Sequence, residues 1–252
     1  MSHLPVRLGL LLSLMLPGMA WADPLGSPGW GWMVTRYFES APVVFSDRVR
    51  VTAPRGAEDA MSVPVGVDAS VLGAEQAIEE ILVFADLNPI TTILRYYPEP
   101  GTPPRIAFRF KIQQASPVRA AVRTADGTWH VAGQWIDAAG GGCTEPSVAS
   151  GSGLWADRLG EIALQWLPRE NGLGRLRTRI IHPMDTGLAG SIPAFYIEET
   201  VYEDAAGKRL ARLETFEPVS ENPIISVDLP AQAVVIRARD GAGNRFTART
   251  DG

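Results

Sequence analysis

Hydrophobic and polar residues alternate most regularly over residues 105–112, RIAFRFKI, where Ile106, Phe108, Phe110 and Ile112 fall on one side and Arg105, Ala107, Arg109 and Lys111 on the other. A two-residue period sends one set into a core and the other to water, which predicts a half-buried β-strand. Similar runs predict strands around 49–51, 63–67, 78–84, 91–97, 118–122 and 129–136, the last entered through the turn Ala125, Asp126, Gly127. The pattern then stops. Residues 138–153, AAGGGCTEPSVASGSG, contain almost nothing that could line a core, the composition of a linker. Strands resume at 160–166, 176–181, 195–202, 208–216, 224–229, 233–239 and 245–249, with turns at 205–207 and 240–243. Short strands divided by turn residues, with no sustained helical period, predict an all-β chain of two antiparallel sandwich domains joined by a Gly/Ser-rich linker. The expected boundaries are 23–143 for the first domain, 144–158 for the linker and 159–252 for the second. Residues 23–45, with Trp30, Trp32, Tyr37 and Phe38, are expected to form a short helix or arm packed on the first domain.

Composition narrows the classes. The chain has 252 residues, 46% hydrophobic and 20% charged, which excludes a disordered chain and a multi-spanning membrane protein. Its 25 glycines and 20 prolines suit a fold with many turns. The formal charge is −5, and no run of Lys and Arg exceeds two residues, so the linear sequence carries no footprint for nucleic acid or an anionic membrane. Residues 1–22 read as a secretory signal: Arg7, the apolar run 8–16, Pro17 and Gly18, then the small-residue cleavage site Ala20, Trp21, Ala22. The apolar run is about half the roughly 18 residues that span a bilayer. The expectation is therefore an exported, periplasmic protein beginning at Asp23, with no membrane in its mature form. No twin-arginine pair is present, and no cysteine follows the cleavage site.

The chain has a single cysteine, Cys143, so no internal disulfide can form and stability must come from packing. It stands after Gly140, Gly141 and Gly142. Three glycines maximise backbone freedom, which predicts a thiol exposed on a flexible arm. No Lys, Arg or His lies within several residues, and Glu145 would oppose ionisation, so the thiol is expected to keep a pKa of roughly 8.5. A mobile, unactivated thiol suits a carrier whose chemistry is supplied by partners better than a catalyst needing a fixed base and an oxyanion site.

On several motifs the chain resembles a known family. Residues 49–143 resemble the SoxY subunit of the bacterial thiosulfate-oxidation sulfur carrier, through LVFADLNP at 82–89, the alternating strand 105–112, TADGTW at 124–129 and Gly141, Gly142, Cys143. Residues 161–249 look like its partner SoxZ, through IHPMDTG at 181–187, IPA at 192–194 and VSENP at 219–223. The resemblance implies two immunoglobulin-like sandwiches forming a periplasmic carrier, with sulfur intermediates held covalently on Cys143 and a swinging arm formed by Gly140, Gly141 and Gly142. It implies small sulfur species as cargo and separate catalysts, including haem enzymes, as partners. Two features depart from the family. The subunits are fused, and the arm is internal, Thr144, Glu145 and Pro146 replacing terminal glycines. Three residues of such an arm reach about 10 Å. Fused carriers of this kind resemble those of periplasmic quinoprotein alcohol dehydrogenase systems, so enzymes of either system are candidate partners.

Other candidates for chemistry are weaker. His182 and Met184 offer too few ligands for a soft-metal site, and a structural or interdomain role is expected for His182. His130, between Trp129 and Val131, is expected to be a satisfied sheet histidine. No Cys-x-x-Cys-His or phosphate loop is present, and Asp157, Glu161 and Glu170 read as solvated charges. The expected function is a carrier that is not itself an enzyme and uses no cofactor, metal or catalytic residue. Two alternatives stay open: a non-covalent accessory module of a quinoprotein system, with Cys143 incidental, and a thiol enzyme pairing Cys143 with His130 or His182, which predicts a depressed thiol pKa.

Overall fold

A computed structural model describes residues 22–147 and 155–250. The expected leader, apart from Ala22, and the centre of the expected linker, 148–154, lie outside the described residues. The first half contains α1 (Trp30–Tyr37), β1 (Val43–Phe45), β2 (Arg50–Thr52), β3 (Val63–Asp68), the helical turn α2 (Ser70–Gly73), β4 (Ile78–Ala85), β5 (Thr92–Pro98), β6 (Arg105–Phe110), β7 (Ser116–Thr124) and β8 (Trp129–Ile136). The second contains β9 (Ile162–Pro168), β10 (Gly174–Ile180), β11 (Ile197–Asp204), β12 (Arg209–Thr215), β13 (Ile224–Leu229), β14 (Val234–Asp240) and β15 (Arg245–Arg249). The chain is all-β in two sandwich halves, as the alternation predicts. Among the described residues no helix is long and apolar enough to cross a membrane.

The halves are joined far more tightly than by a linker. One nine-stranded sheet runs β1-β8-β7-β4-β5-β12-β11-β14-β15, and one six-stranded sheet runs β2-β3-β6-β13-β10-β9. Both cross from one half to the other. β12 pairs antiparallel with β5 from Ala211↔Pro98 to Thr215↔Leu94, and β13 pairs with β6 at Ser226↔Ala107 and Val227↔Ile106. One hydrophobic cluster fills the space between the sheets, from Val63, Val83 and Phe108 in the first half to Leu213, Val227 and Ile236 in the second. Ladder hydrogen bonds across both joins remove what would otherwise be four exposed sheet edges.

The outer face of the nine-stranded sheet is covered in the first half. Along β4, Ile81, Val83 and Ala85 enter the main core while Leu82 and Phe84 point the other way, and all are buried. Residues 30, 33, 34 and 37 recur at helical spacing, so α1 presents Trp30, Met33, Val34 and Tyr37 to that second face. Beneath it lies Arg119 of β7, fully buried, with Nε 3.0 Å from both carboxylate oxygens of Asp86 and Nη2 2.8 Å from Asp23. Its guanidinium stands 4.5 Å from the Trp30 ring.

Candidate functional site

The site is built where β6 and β10 end. These strands run in the same direction, both being antiparallel to β13 between them. β6 leads into Lys111, Ile112 and Gln113, and β10 leads into Ile181, His182, Pro183 and Met184. The segment carrying Cys143 is seated against both. Gly141 N–H donates to Gln113 O (3.2 Å) and Gly142 N–H to Ile112 O (3.1 Å). Cys143 N–H donates to Gln113 Oε1 (3.0 Å), and the Cys143 thiol lies 3.5 Å from Lys111 O. Thr186 closes the seat from the second half, its hydroxyl donating to Cys143 O at 2.6 Å.

Cys143 is 0% exposed. The expectation of a thiol presented to solvent on a flexible arm is therefore corrected, and the reason lies in the glycines themselves. Gly140 and Gly141 adopt φ of +106° and +95°, conformations that side chains rarely tolerate. A β-carbon on Gly142 would overlap Ala60 O and lie 2.6 Å from Ile112 O. The glycines that suggested freedom serve close packing in this structure.

Three of the motifs singled out in the sequence converge on the Gly-Gly-Cys segment. Asn88, from LVFADLNP, donates to Lys111 O (2.9 Å) and accepts from Gln113 N–H (2.9 Å), ordering the wall of the seat. In IHPMDTG, His182 Nδ1 accepts from Met184 N–H (3.1 Å) and shapes the loop, so Met184 O receives the buried Lys111 ammonium. Asn222, from VSENP, clasps His182 through N–H to His182 O (2.8 Å), while its side-chain oxygen accepts from His182 N–H (3.2 Å). Ser220 N–H donates to Arg109 O (3.1 Å). His182 thus has a structural role, its partners Met184, Asn222 and Asp240 all lying in the second half. The sequence reading did not find Lys111, Gln113 or Thr186, which lie about 30 to 43 residues from Cys143 and are brought together only by the shared sheets. TADGTW forms the β7–β8 turn, and His130 of β8 lies in the sheet in register with Val44 and Val122, but among the described residues its two buried ring nitrogens have no hydrogen-bond partner, so the expectation of a satisfied histidine is corrected. Among the described residues, neither histidine hydrogen-bonds the sulfur.

Burial pushes the Cys143 thiol up to about 11, against a smaller opposing pull from the Lys111 ammonium. Burial likewise lowers the Lys111 pKa, opposed by Asp185, Cys143 and Glu221. The seated thiol is protonated and unreactive at neutral pH, the opposite of the depressed value a Cys/His enzyme requires. Met184 Sδ accepts from Ile197 N–H (3.3 Å), so both soft-metal candidates have structural work. Among the described residues no group of three or more His, Cys, Asp and Glu could hold a metal.

Burial also pushes His182 down to about 4, opposed by Asp240, whose Oδ2 is 3.5 Å from Nε2, and by Asp185. Between about pH 6.5 and 4 the unfolded chain takes up a proton that the folded chain refuses. Stability is therefore full above pH 6.5 and falls on acidification, by about 3 kcal/mol at the limit. Urea unfolding of the wild type at pH 7 and 4.5 is expected to show this loss, and His182→Gln to show a smaller one. An equal loss in both would assign the acid sensitivity elsewhere.

Comparison with known proteins places these features in a family. The model of SoxY, described as sulfur oxidation protein SoxY, matches residues 34–143, and that of SoxZ, sulphur oxidation protein SoxZ, matches 168–251. No curated protein matches the chain. Among solved structures, the sulfur carrier protein SoxY from Chlorobium limicola f thiosulfatophilum is 20% identical, with a TM-score of 0.38, over 44% of this chain and 96% of that one. A Parabacteroides merdae β-glucuronidase (8% identical, TM-score 0.24) and a biofilm-associated protein BSP domain (12%, 0.25) align with 82% and 80% of this chain, which spans 24% and 29% of theirs. With one family's match ending on Cys143 and the other's beginning beyond it, the chain belongs to the sulfur-oxidation carriers, as a SoxY and a SoxZ domain fused into a single SoxYZ-like protein.

Proposed function

We propose that this protein is a periplasmic carrier that holds sulfur intermediates covalently on Cys143 and presents them to separate enzymes, without catalysing their conversion. The observation that carries this reading is the SoxY match ending on the one cysteine of the chain, at a place where the characteristic motifs of both halves meet. The leader-like residues 1–22 support export. The buried thiol adds a step: the arm must leave its seat before cargo is loaded. Among the described residues, the second half reaches the Cys143 backbone through the Thr186 hydroxyl. Once released, the sulfur can be ionised and oxidatively joined to a reduced sulfur species, as a thiosulfonate or persulfide. Joining it to thiosulfate releases the thiol proton and two electrons, which an electron-accepting partner enzyme must take.

Intact-mass measurement of protein from the native periplasm, with and without reductant, tests this. The expected result is a reducible adduct that maps to Cys143 and is absent from Cys143→Ser. A wild-type thiol unmodified during active sulfur oxidation, together with unimpaired pathway function in Cys143→Ser, would favour the accessory-module alternative.

A further inference from the structure

The outer face of the six-stranded sheet carries a concentration of charge opposite in sign to the protein as a whole. Alternation along its strands turns Arg50 of β2, Arg105 and Arg109 of β6, and Arg175, Arg177 and Arg179 of β10 away from the core. Against these six arginines stand two aspartates, Asp68 and Asp228, in a chain of formal charge −5. The aspartates are already engaged: Arg105 pairs with Asp68 at 3.1 Å and Arg175 with Asp228 at 2.6 Å. Among the described residues Arg109 reaches Ser62 (3.2 Å to Oγ) and Arg177 reaches Gln165 (3.4 Å). Among the described residues Arg50, Arg109, Arg177 and Arg179 have no carboxylate partner. Like charges gathered on one sheet face repel one another, and an incoming anionic surface relieves that repulsion.

The face also has shape. Gly66, Ala107 and Ser226 stand in register on three neighbouring strands, and these small residues floor an open groove of about 590 Å3 bordered by Pro64, Arg109, Arg177 and Ile224. Arg109 and Arg179 are the last outward residues of β6 and β10, next to the segments that wall the Cys143 seat. Their strands are separated by β13, so the backbones lie roughly 10 Å apart. That span suits several carboxylates on one chain better than a single small oxyanion.

We propose that this face docks an acidic segment of a partner protein, lying in the Gly66–Ala107–Ser226 groove, paired with Arg109, Arg177 and Arg179, and leading toward the Cys143 seat. Guanidinium groups fit such a role through forked pairing with carboxylates. That the partner is an enzyme acting on cargo rests on the carrier reading above; the charge and shape of the face do not.

The test is fluorescence anisotropy of the full chain with a labelled peptide of eight glutamates, against an eight-serine control. Only the glutamate peptide should bind, at least about 5-fold more weakly in 150 mM than in 20 mM NaCl because exposed charge pairs are screened. Replacing Arg109, Arg177 and Arg179 together by Gln should weaken binding at least about 10-fold, since each removes a charge-assisted contact. The same change at Arg123, Arg237 and Arg245, on the other sheet, should alter it less than about 2-fold, by loss of long-range attraction only. Cys143→Ser should bind as wild type, so failure of the cargo reading leaves this result standing. Absence of binding, or equal loss in both triple variants, overturns the proposal. So does displacement by thiosulfate at an ionic strength where NaCl has no effect, which would make the face a small-anion site.

Discussion

Replacing Gly142 by alanine is expected to accelerate alkylation of Cys143 at pH 7.5 by at least about 100-fold. The added methyl must displace backbone oxygens of Ala60 and Ile112, which have no side-chain freedom with which to yield. The seat therefore has to open. While seated, the thiol has a pKa of about 11 and no solvent contact, so only about one molecule in several thousand is ionised at pH 7.5. Released to the ordinary thiol range, several per cent are. Maleimide modification followed by intact mass gives the rates, with Gly31→Ala, whose new β-carbon meets nothing within 4 Å, as the control. The wild-type rate should keep climbing tenfold per pH unit beyond pH 9, and that of Gly142→Ala should level off near it. Equal rates, or a wild type reacting like a free thiol, would show that the seat does not guard the sulfur.

The largest stability effect is expected from Arg119→Met, about 3–5 kcal/mol in urea unfolding. The Asp86 side chain is wholly buried, and its pKa is already raised by desolvation, with Arg119 the main opposing influence. Removing the guanidinium leaves that carboxylate without its charge partner, frees Asp23, and takes away the cation facing Trp30, so the cover formed by residues 23–38 loosens as well. Adding Asp86→Leu should restore more than half of the loss, because an apolar pair of similar size is tolerated where a lone buried charge is not. A single variant costing under about 1 kcal/mol, or a double variant no better than the single, would show that water reaches this network.

Much of the fold was legible because it rests on local rules. The two-residue period became β6 over 105–110, and its outward arginines are the residues the alternation assigned, but Lys111, assigned to water, lies buried beyond the strand's end. The stretch 23–45, expected as a short helix or arm, contains α1. The three residues of β1 were not legible: too short for a period, they are held by parallel pairing with β8, 86 residues away at Val43↔Trp129. Nor was the joining of the halves, since nothing along β5 or β12 marks an edge as destined for the other half. The arginine face shows the same limit. Three outward arginines can be read along β10, but whether they share a surface with Arg109 depends on β13 lying between.

By itself the sequence determined the class of fold, the family motifs and the chemistry available, one thiol and no second cysteine to spend it on, because residue type and spacing set these locally. The tertiary structure alone decided the state of that thiol. A triple glycine is equally suited to swinging free and to threading between backbone oxygens, and the choice falls to Ala60, Ile112, Gln113 and Thr186, neighbours in space that the chain order keeps apart.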